Sequence, residues 1–142
     1  VQFVEQPMPP DVAESDWTWL RDRSPLPLFG DESYQSEADA ARCARQFHGV
    51  NVKLVKTGGI TSARKALEAA RQAGLRTMIG CMIESSVLIT AGAHLAALAD
   101  YLDLDGNLLT TNDPYTGVIC DRGQLSFERA AGRTGLCVCA RS

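Results

Sequence analysis

Residues 50–80 read VNVKLVKTGGITSARKALEAARQAGLRTMIG and hold one complete strand–helix–strand unit. Val50 to Val55 is a short apolar run rich in β-branched residues, which predicts a strand. Thr57-Gly58-Gly59 then turns the chain. From Thr61 to Ala73 the residues Ala63, Ala66, Leu67 and Ala70 recur at i, i+3, i+4 and i+7, so one face of a helix is apolar. Gly74 is a natural stop for that helix, and Leu75 to Gly80 is the next strand.

The same unit repeats on both sides. Upstream, Val1 to Val4 reads as the tail of a strand ending at Glu5, and Pro7, Pro9 and Pro10 stiffen the loop after it. Asp11 to Arg21 is predicted helical, with Ala13, Trp17 and Leu20 on one face. Leu26 to Phe29 is a second strand, ended by Gly30 and Asp31. Ser36 caps the helix that follows, and Glu37 and Asp39 sit in its first turn, where the helix dipole favours anions. Ala40, Cys43, Ala44 and Phe47 form its apolar side. Downstream, a helix starts at Ser85 or Ser86 and runs to Ala99, and Tyr101 to Asp105 is the fifth strand.

After Leu109 the pattern changes. Thr116 to Cys120 and Gln124 to Phe127 flank Asp121-Arg122-Gly123, a predicted hairpin, and Gly132 to Ser142 is a short tail with one strand. The chain therefore divides into a strand–helix part, residues 1–109, and a hairpin tail, residues 110–142.

Charged groups punctuate the strand ends. Glu5 and Asp31 lie 26 residues apart, Asp31 and Lys53 lie 22 apart, and Glu84 and Asp105 lie 21 apart. Strand–helix repeats with chemistry at each strand's carboxyl end are the signature of a β/α barrel active site.

The composition narrows the function. The chain has 142 residues, 45% of them hydrophobic, which suits one globular domain with a real core. A net charge of −3 argues against a nucleic-acid partner. The most apolar stretch, Met78 to Ala99, is interrupted by Glu84 and His94, so no membrane span is expected. No basic-then-apolar leader is seen. Five cysteines without a C-x-x-C pair suggest reduced, buried thiols in a cytoplasmic protein. Only His48 and His94 are present, which disfavours a histidine metal site or a Ser-His-Asp triad.

Each strand-end residue has two readings. Glu5 and Asp31 offer hard oxygens suited to Mg²⁺, although a lone carboxylate there also serves as a helix cap or a surface charge. Lys53, set among Val50, Val52, Leu54 and Val55, faces desolvation that lowers its pKa toward that of a base, or else it snorkels outward. Lys56 is the better candidate for the outward role. Asp103 and Asp105 are two apart and share one face of a strand, with Leu102 and Leu104 on the helix side. Two carboxylates so placed need a cation between them: a metal, a lysine or a substrate ammonium. Asp105-Gly106 also reads as a simple turn, which leaves Asp103 unexplained. Thr57-Gly58-Gly59 is a tight turn more readily than a phosphate site.

Taken together, these pieces resemble the enolase superfamily, in its muconate-lactonizing subgroup. The pieces are Val4-Glu5-Gln6-Pro7, Gly30-Asp31-Glu32-Ser33, Asn51 to Ile60, Gly80 to Ser85 and Asp103-Leu104-Asp105-Gly106. They look most like the dipeptide epimerases of the L-Ala-D/L-Glu type. The resemblance implies the C-terminal part of a (β/α)7β barrel, about strands 4 to 8, whose tail packs toward a capping domain. It implies that Glu5 and Asp31 are two of three Mg²⁺ ligands and that Lys53 is one of two acid/base lysines. Asp103 and Asp105 would grip a dipeptide's α-ammonium, and Cys81 and Met82 would meet the substrate at the end of the seventh strand.

It further implies that these residues belong to a larger enzyme whose N-terminal half carries the first ligand and the opposing lysine. Alone they are expected to lack epimerase activity, because one lysine cannot serve both faces. The sequence leaves open a homo-oligomer, the other reactions of the subgroup (N-acylamino acid racemisation, o-succinylbenzoate synthesis, cycloisomerisation), a Schiff-base aldolase using Lys53, and an inactive barrel fragment.

Overall fold

The computed structural model describes residues 1–127 and 138–141. Five parallel strands form one sheet in sequence order: β1 (Val4–Glu5), β2 (Leu28–Gly30), β3 (Gly49–Lys53), β4 (Arg76–Gly80) and β5 (Tyr101–Leu102). The longest pairing, β3 with β4, runs from Gly49 opposite Arg76 to Lys53 opposite Gly80. Helices α1 (Glu14–Arg23), α2 (Ala40–Gln46), α3 (Leu54–Thr57), α4 (Ile60–Gln72) and α5 (Ser86–Ala93) fill the connections. Parallel neighbours joined in order through helices form part of a β/α barrel, so every strand presents its carboxyl end to the same side.

Period-two alternation divides the strands into two faces. Val50 and Val52 are fully buried toward the helices, where Ala63, Ala66, Leu67 and Ala70 of α4 meet them as the helical spacing predicts. Trp17 of α1 packs its ring against Phe47 at 4.6 Å, closing the next helix pair. Burying a side chain such as Phe47 or Leu67 favours folding by about 1.5–3 kcal/mol over leaving it exposed. The opposite face carries Gly49, Asn51 and Lys53. At its amino-terminal end the rings of Phe3, just ahead of β1, Phe29 of β2 and Tyr101 of β5 meet at centroid distances of 4.3 to 5.5 Å. Rings at the first and last strands can touch only if the sheet curls into a trough.

Local signals explain the ends of elements. Ser36 and Asp39 form a capping box ahead of α2. After α4, Gly74 takes a positive φ of 79°, and Leu75 N donates back to Ala70 O, which ends the helix as expected. The described part of the tail is anchored. β6 (Tyr115–Thr116) pairs with β9 (Cys139–Ala140), and β7 (Ile119–Asp121) pairs with β8 (Gln124–Ser126) around Arg122-Gly123, the expected hairpin. Val118 N donates to Thr90 Oγ1 of α5 at 2.9 Å.

Several expectations change. The strand predicted over Val50 to Val55 stops at Lys53, and Leu54–Thr57 is a helical turn. The fifth strand ends at Leu102 instead of Asp105, since a 3₁₀ turn over Gly106–Leu109 takes the chain away. α5 ends at Ala93, followed by a short 3₁₀ segment at Ala96–Leu98. Leu104 is buried, but Leu102, on the last strand of the sheet, is 44% exposed because it lacks the flanking cover that Val50 and Val52 have. Among the described cysteines all are free and only Cys43 is buried, so the thiols are not uniformly core residues. Cys137 and most of the tail from Gly132 lie outside the described residues. No helix among the described residues is long and apolar enough to cross a membrane.

Candidate active site

Asp31 is the hub of the charged groups at the carboxyl ends. It follows β2, and its backbone N–H donates to Gln6 Oε1 at 2.8 Å, which ties the loop after β2 to the loop after β1. Gln6 also donates to Ser33 Oγ at 2.9 Å. The Asp31 carboxylate then accepts two ammonium groups, one on each oxygen. Lys53, the last residue of β3, reaches Oδ2 at 2.7 Å, and Lys56 reaches Oδ1 at 2.5 Å. Burial alone would push the Asp31 carboxyl upward, but the two ammonium groups outweigh it and hold it below the usual carboxylate range.

The two lysines differ in their commitments. Lys56 Nζ also donates to Asp31 O at 2.5 Å and Asn51 O at 3.0 Å, so its three protons all have partners. Its side chain is only 7% exposed, which corrects the expectation that it points outward. Burial pulls its pKa down despite Asp31. Lys53 touches Asp31 and, at 3.9 Å, the sulfur of Met82, which leaves it donor capacity toward the open end of the trough. Burial also acts to lower the Lys53 pKa, but the Asp31 carboxylate wins and raises it, the reverse of the expected shift.

Glu5 ends β1. Its Oε1 accepts a hydrogen bond from Asn51 Nδ2 at 2.7 Å. Burial raises its pKa, and the neighbouring charge of Asp31 adds to the rise. Asn51 is fully buried on the trough face of β3, and its side chain lies where a Cβ on Gly80 would stand, so only glycine fits at position 80.

On the far side, burial raises the pKa of Asp103, and the field of Asp105 adds to it, while Lys53 pulls the other way and Asp31 contributes to the rise. Asp103 thus feels two of the charges that act on Glu5, those of Asp31 and Lys53. Asp103 and Asp105 border a cleft of about 190 Å³ closed by Cys120, Gly123 and Leu125 of the hairpin. Cys81 and Met82 follow β4, Cys81 half-buried and Met82 46% exposed beside Lys53. Glu84, marked in the sequence by its spacing and by the Gly80 to Ser85 piece, lies two residues beyond Met82. Its Oε1 accepts from Met82 N at 3.4 Å, and burial raises its pKa.

Glu5, Asp31, Lys53, Met82 and Asp103 are therefore linked by contact or by field. Asn51 and Lys56 join them, and sequence reasoning assigned neither a part in the site. The two carboxylates fit two protein ligands of a hard divalent cation that keeps several waters. No group of three or more metal-ligating side chains converges among the described residues.

Known proteins resemble this chain. Residues 1–122 match the family described as enolase C-terminal domain-like. Over 141 residues, 99% of the chain, the sequence is 62% identical to the L-Ala-D/L-amino acid epimerase of Pedosphaera parvula, of which it covers 41%. Among solved structures, the L-Ala-D/L-Glu epimerase from Bacillus subtilis, a substrate-liganded complex, matches with a TM-score of 0.82 and 31% identity over 89% of this chain and 37% of that one. The dipeptide epimerase from Cytophaga hutchinsonii, complexed with Mg and the dipeptide D-Ala-L-Val, matches with a TM-score of 0.79 and 28% identity over 88% of this chain and 35% of that one. The chain thus spans about two fifths of the length of the relatives it matches.

Proposed function

The chain belongs to the enolase C-terminal domain-like family, and from that premise we propose that it supplies one side of a barrel active site that epimerises dipeptides. The observation that carries the reading is the sharing of one electrostatic neighbourhood by Lys53, the Glu5–Asp31 carboxylates and Asp103. In this reading Glu5 and Asp31 hold Mg²⁺, which when bound supplies positive charge to the substrate carboxylate as its α-proton leaves. In this reading the remaining ligand and the opposing base come from a part of the complete enzyme outside the matched region.

Lys53 exchanges the proton on one face of the α-carbon. An epimerase needs one group to accept and another to donate, and the direction of turnover decides which does which. Asp31 favours the ammonium form of Lys53, which is ready to deliver a proton. The C–H bond breaks on one face, its electron pair spreads into the carboxylate, and a new C–H bond forms with a proton from the other face. Asp103 and Asp105 receive the α-ammonium, which offsets the cost of holding two carboxylates together. Cys81 and Met82 line the substrate beside Lys53.

The aspartate pair selects dipeptides over N-acylated amino acids, which have no free ammonium, and over cycloisomerase substrates, which are dianions. The test is a dipeptide library incubated in D₂O with the complete protein and Mg²⁺. Deuterium should enter the α-carbon with inversion for at least one dipeptide. Exchange restricted to N-acylated amino acids would replace the reading with racemisation of that class. Borohydride trapping of substrate on Lys53 would replace it with Schiff-base chemistry.

A further inference from the structure

We propose that Asn51 and Lys56 act as one brace that fixes the spacing and orientation of the Glu5 and Asp31 carboxylates, which makes both of them positioning residues for a bound divalent cation. The inference rests on the reading of Glu5 and Asp31 as cation ligands. Both carboxylates lead back to the same short segment, residues 51–56. Asn51 holds Glu5 through its side-chain amide at 2.7 Å and holds Lys56 through its backbone carbonyl at 3.0 Å. Lys56 in turn holds Asp31 at two points, Oδ1 and the backbone carbonyl. Neither support is free to move. Asn51 is fully buried and packed against Gly80, and the Lys56 side chain is 7% exposed with all three protons engaged.

A lysine with every proton committed to fixed acceptors makes a poor proton carrier. It makes a rigid strut, because ammonium groups this buried persist only when fully bonded. Lys53, which has donor capacity to spare, is the contrasting case. The helical turn Leu54–Thr57 is what brings Lys56 back over Asp31.

Charge and position predict opposite signs for Lys56→Met. Removing a positive charge beside a cation site strengthens cation binding if charge is all that matters. Removing a support weakens it, typically 10- to 100-fold for residues that orient metal ligands. The experiment is a Mn²⁺ titration by electron paramagnetic resonance on the complete protein and its variants, with thermal unfolding as a check on folding.

Lys56→Met and Asn51→Leu should each weaken Mn²⁺ binding about 10- to 100-fold. The double variant should lose little more than either single one, because one brace breaks only once. In Lys56→Met, raising Mn²⁺ should restore kcat. Binding in Lys56→Met as tight as or tighter than in the parent overturns the inference. So do single losses that add in full, or a lost kcat that Mn²⁺ does not restore. If Lys56→Met fails to fold, Lys56→Gln takes its place: its amide has two protons for the three acceptors that Lys56 holds, so Mn²⁺ binding should again weaken, and binding as tight as the parent's overturns the inference. A parent protein that binds no Mn²⁺, or an Asp31→Asn variant that binds it undiminished, defeats the underlying ligand assignment and the brace together.

Discussion

At the scale of single residues, the proposed reaction gives Lys53 and Asp103 separable duties. Lys53→Met should slow α-proton exchange in D₂O at least 10²- to 10⁴-fold, the usual weight of a positioned acid or base, while far-ultraviolet circular dichroism stays unchanged. Undiminished exchange would remove Lys53 from the chemistry. Asp103→Asn should raise KM for dipeptides and narrow the preference over N-acylated analogues. The same change should raise the thermal midpoint slightly, because the ionised carboxyl is held at a cost by burial and by Asp105. Glu5, Asp31, Lys53 and Asp103 were legible because a strand end is a position that sequence marks. Lys56 was not. On a continuous strand, residues 53 and 56 fall on opposite faces, but on a helical turn residues three apart share a face. The unnoticed turn at Leu54–Thr57 therefore reversed the placement of Lys56. Asn51 hid for a different reason: a buried amide inside an apolar strand announces a partner without naming it.

At the scale of elements, the joint between α5 and the tail turns on Thr90. Its hydroxyl donates to Ser86 O at 2.5 Å and accepts Val118 N at 2.9 Å, all within the buried interior. Thr90→Val keeps the shape but orphans the Val118 amide, which should cost about 1–3 kcal/mol of stability. Hydrogen exchange should quicken at Val118 more than on β3, and equal protection at Val118 in both proteins would count against this joint. The helices with strong apolar spacing, α2 and α4, were legible close to their ends, since Ser36 and Gly74 mark where they start and stop. Boundaries set by tertiary contacts were not. β-branched Val52 and Val55 bracket Lys53 and favour a strand locally, yet the chain winds at Leu54. β5 breaks after Leu102 because Asp103 N makes its last ladder bond, to Ile79 O.

At the scale of the whole molecule, acid titration should reveal two opposed sets of carboxyls. Asp31 has a lowered pKa, so its stabilising contribution is complete above the ordinary carboxylate range, near pH 4, and is lost as pH falls through its lower folded value. Glu5 and Asp103 have raised values, so protonating them on the way down from neutrality relieves the fold. Thermal midpoints measured across pH should therefore rise gently below neutrality and then fall below about pH 4. Asp31→Asn should reduce the final fall, which Asp39 and Asp113 share through their own lowered values, and a fall that persists unchanged would place the acid-sensitive group elsewhere. The ring cluster of Phe3, Phe29 and Tyr101 closes the opposite end of the trough from these charges. Such a floor has consequences for descent. In the proposed enzyme, mutations at the rim would change which molecule is processed without disturbing the seal beneath it, so a lineage could explore new substrates one loop at a time while inheriting the same vessel.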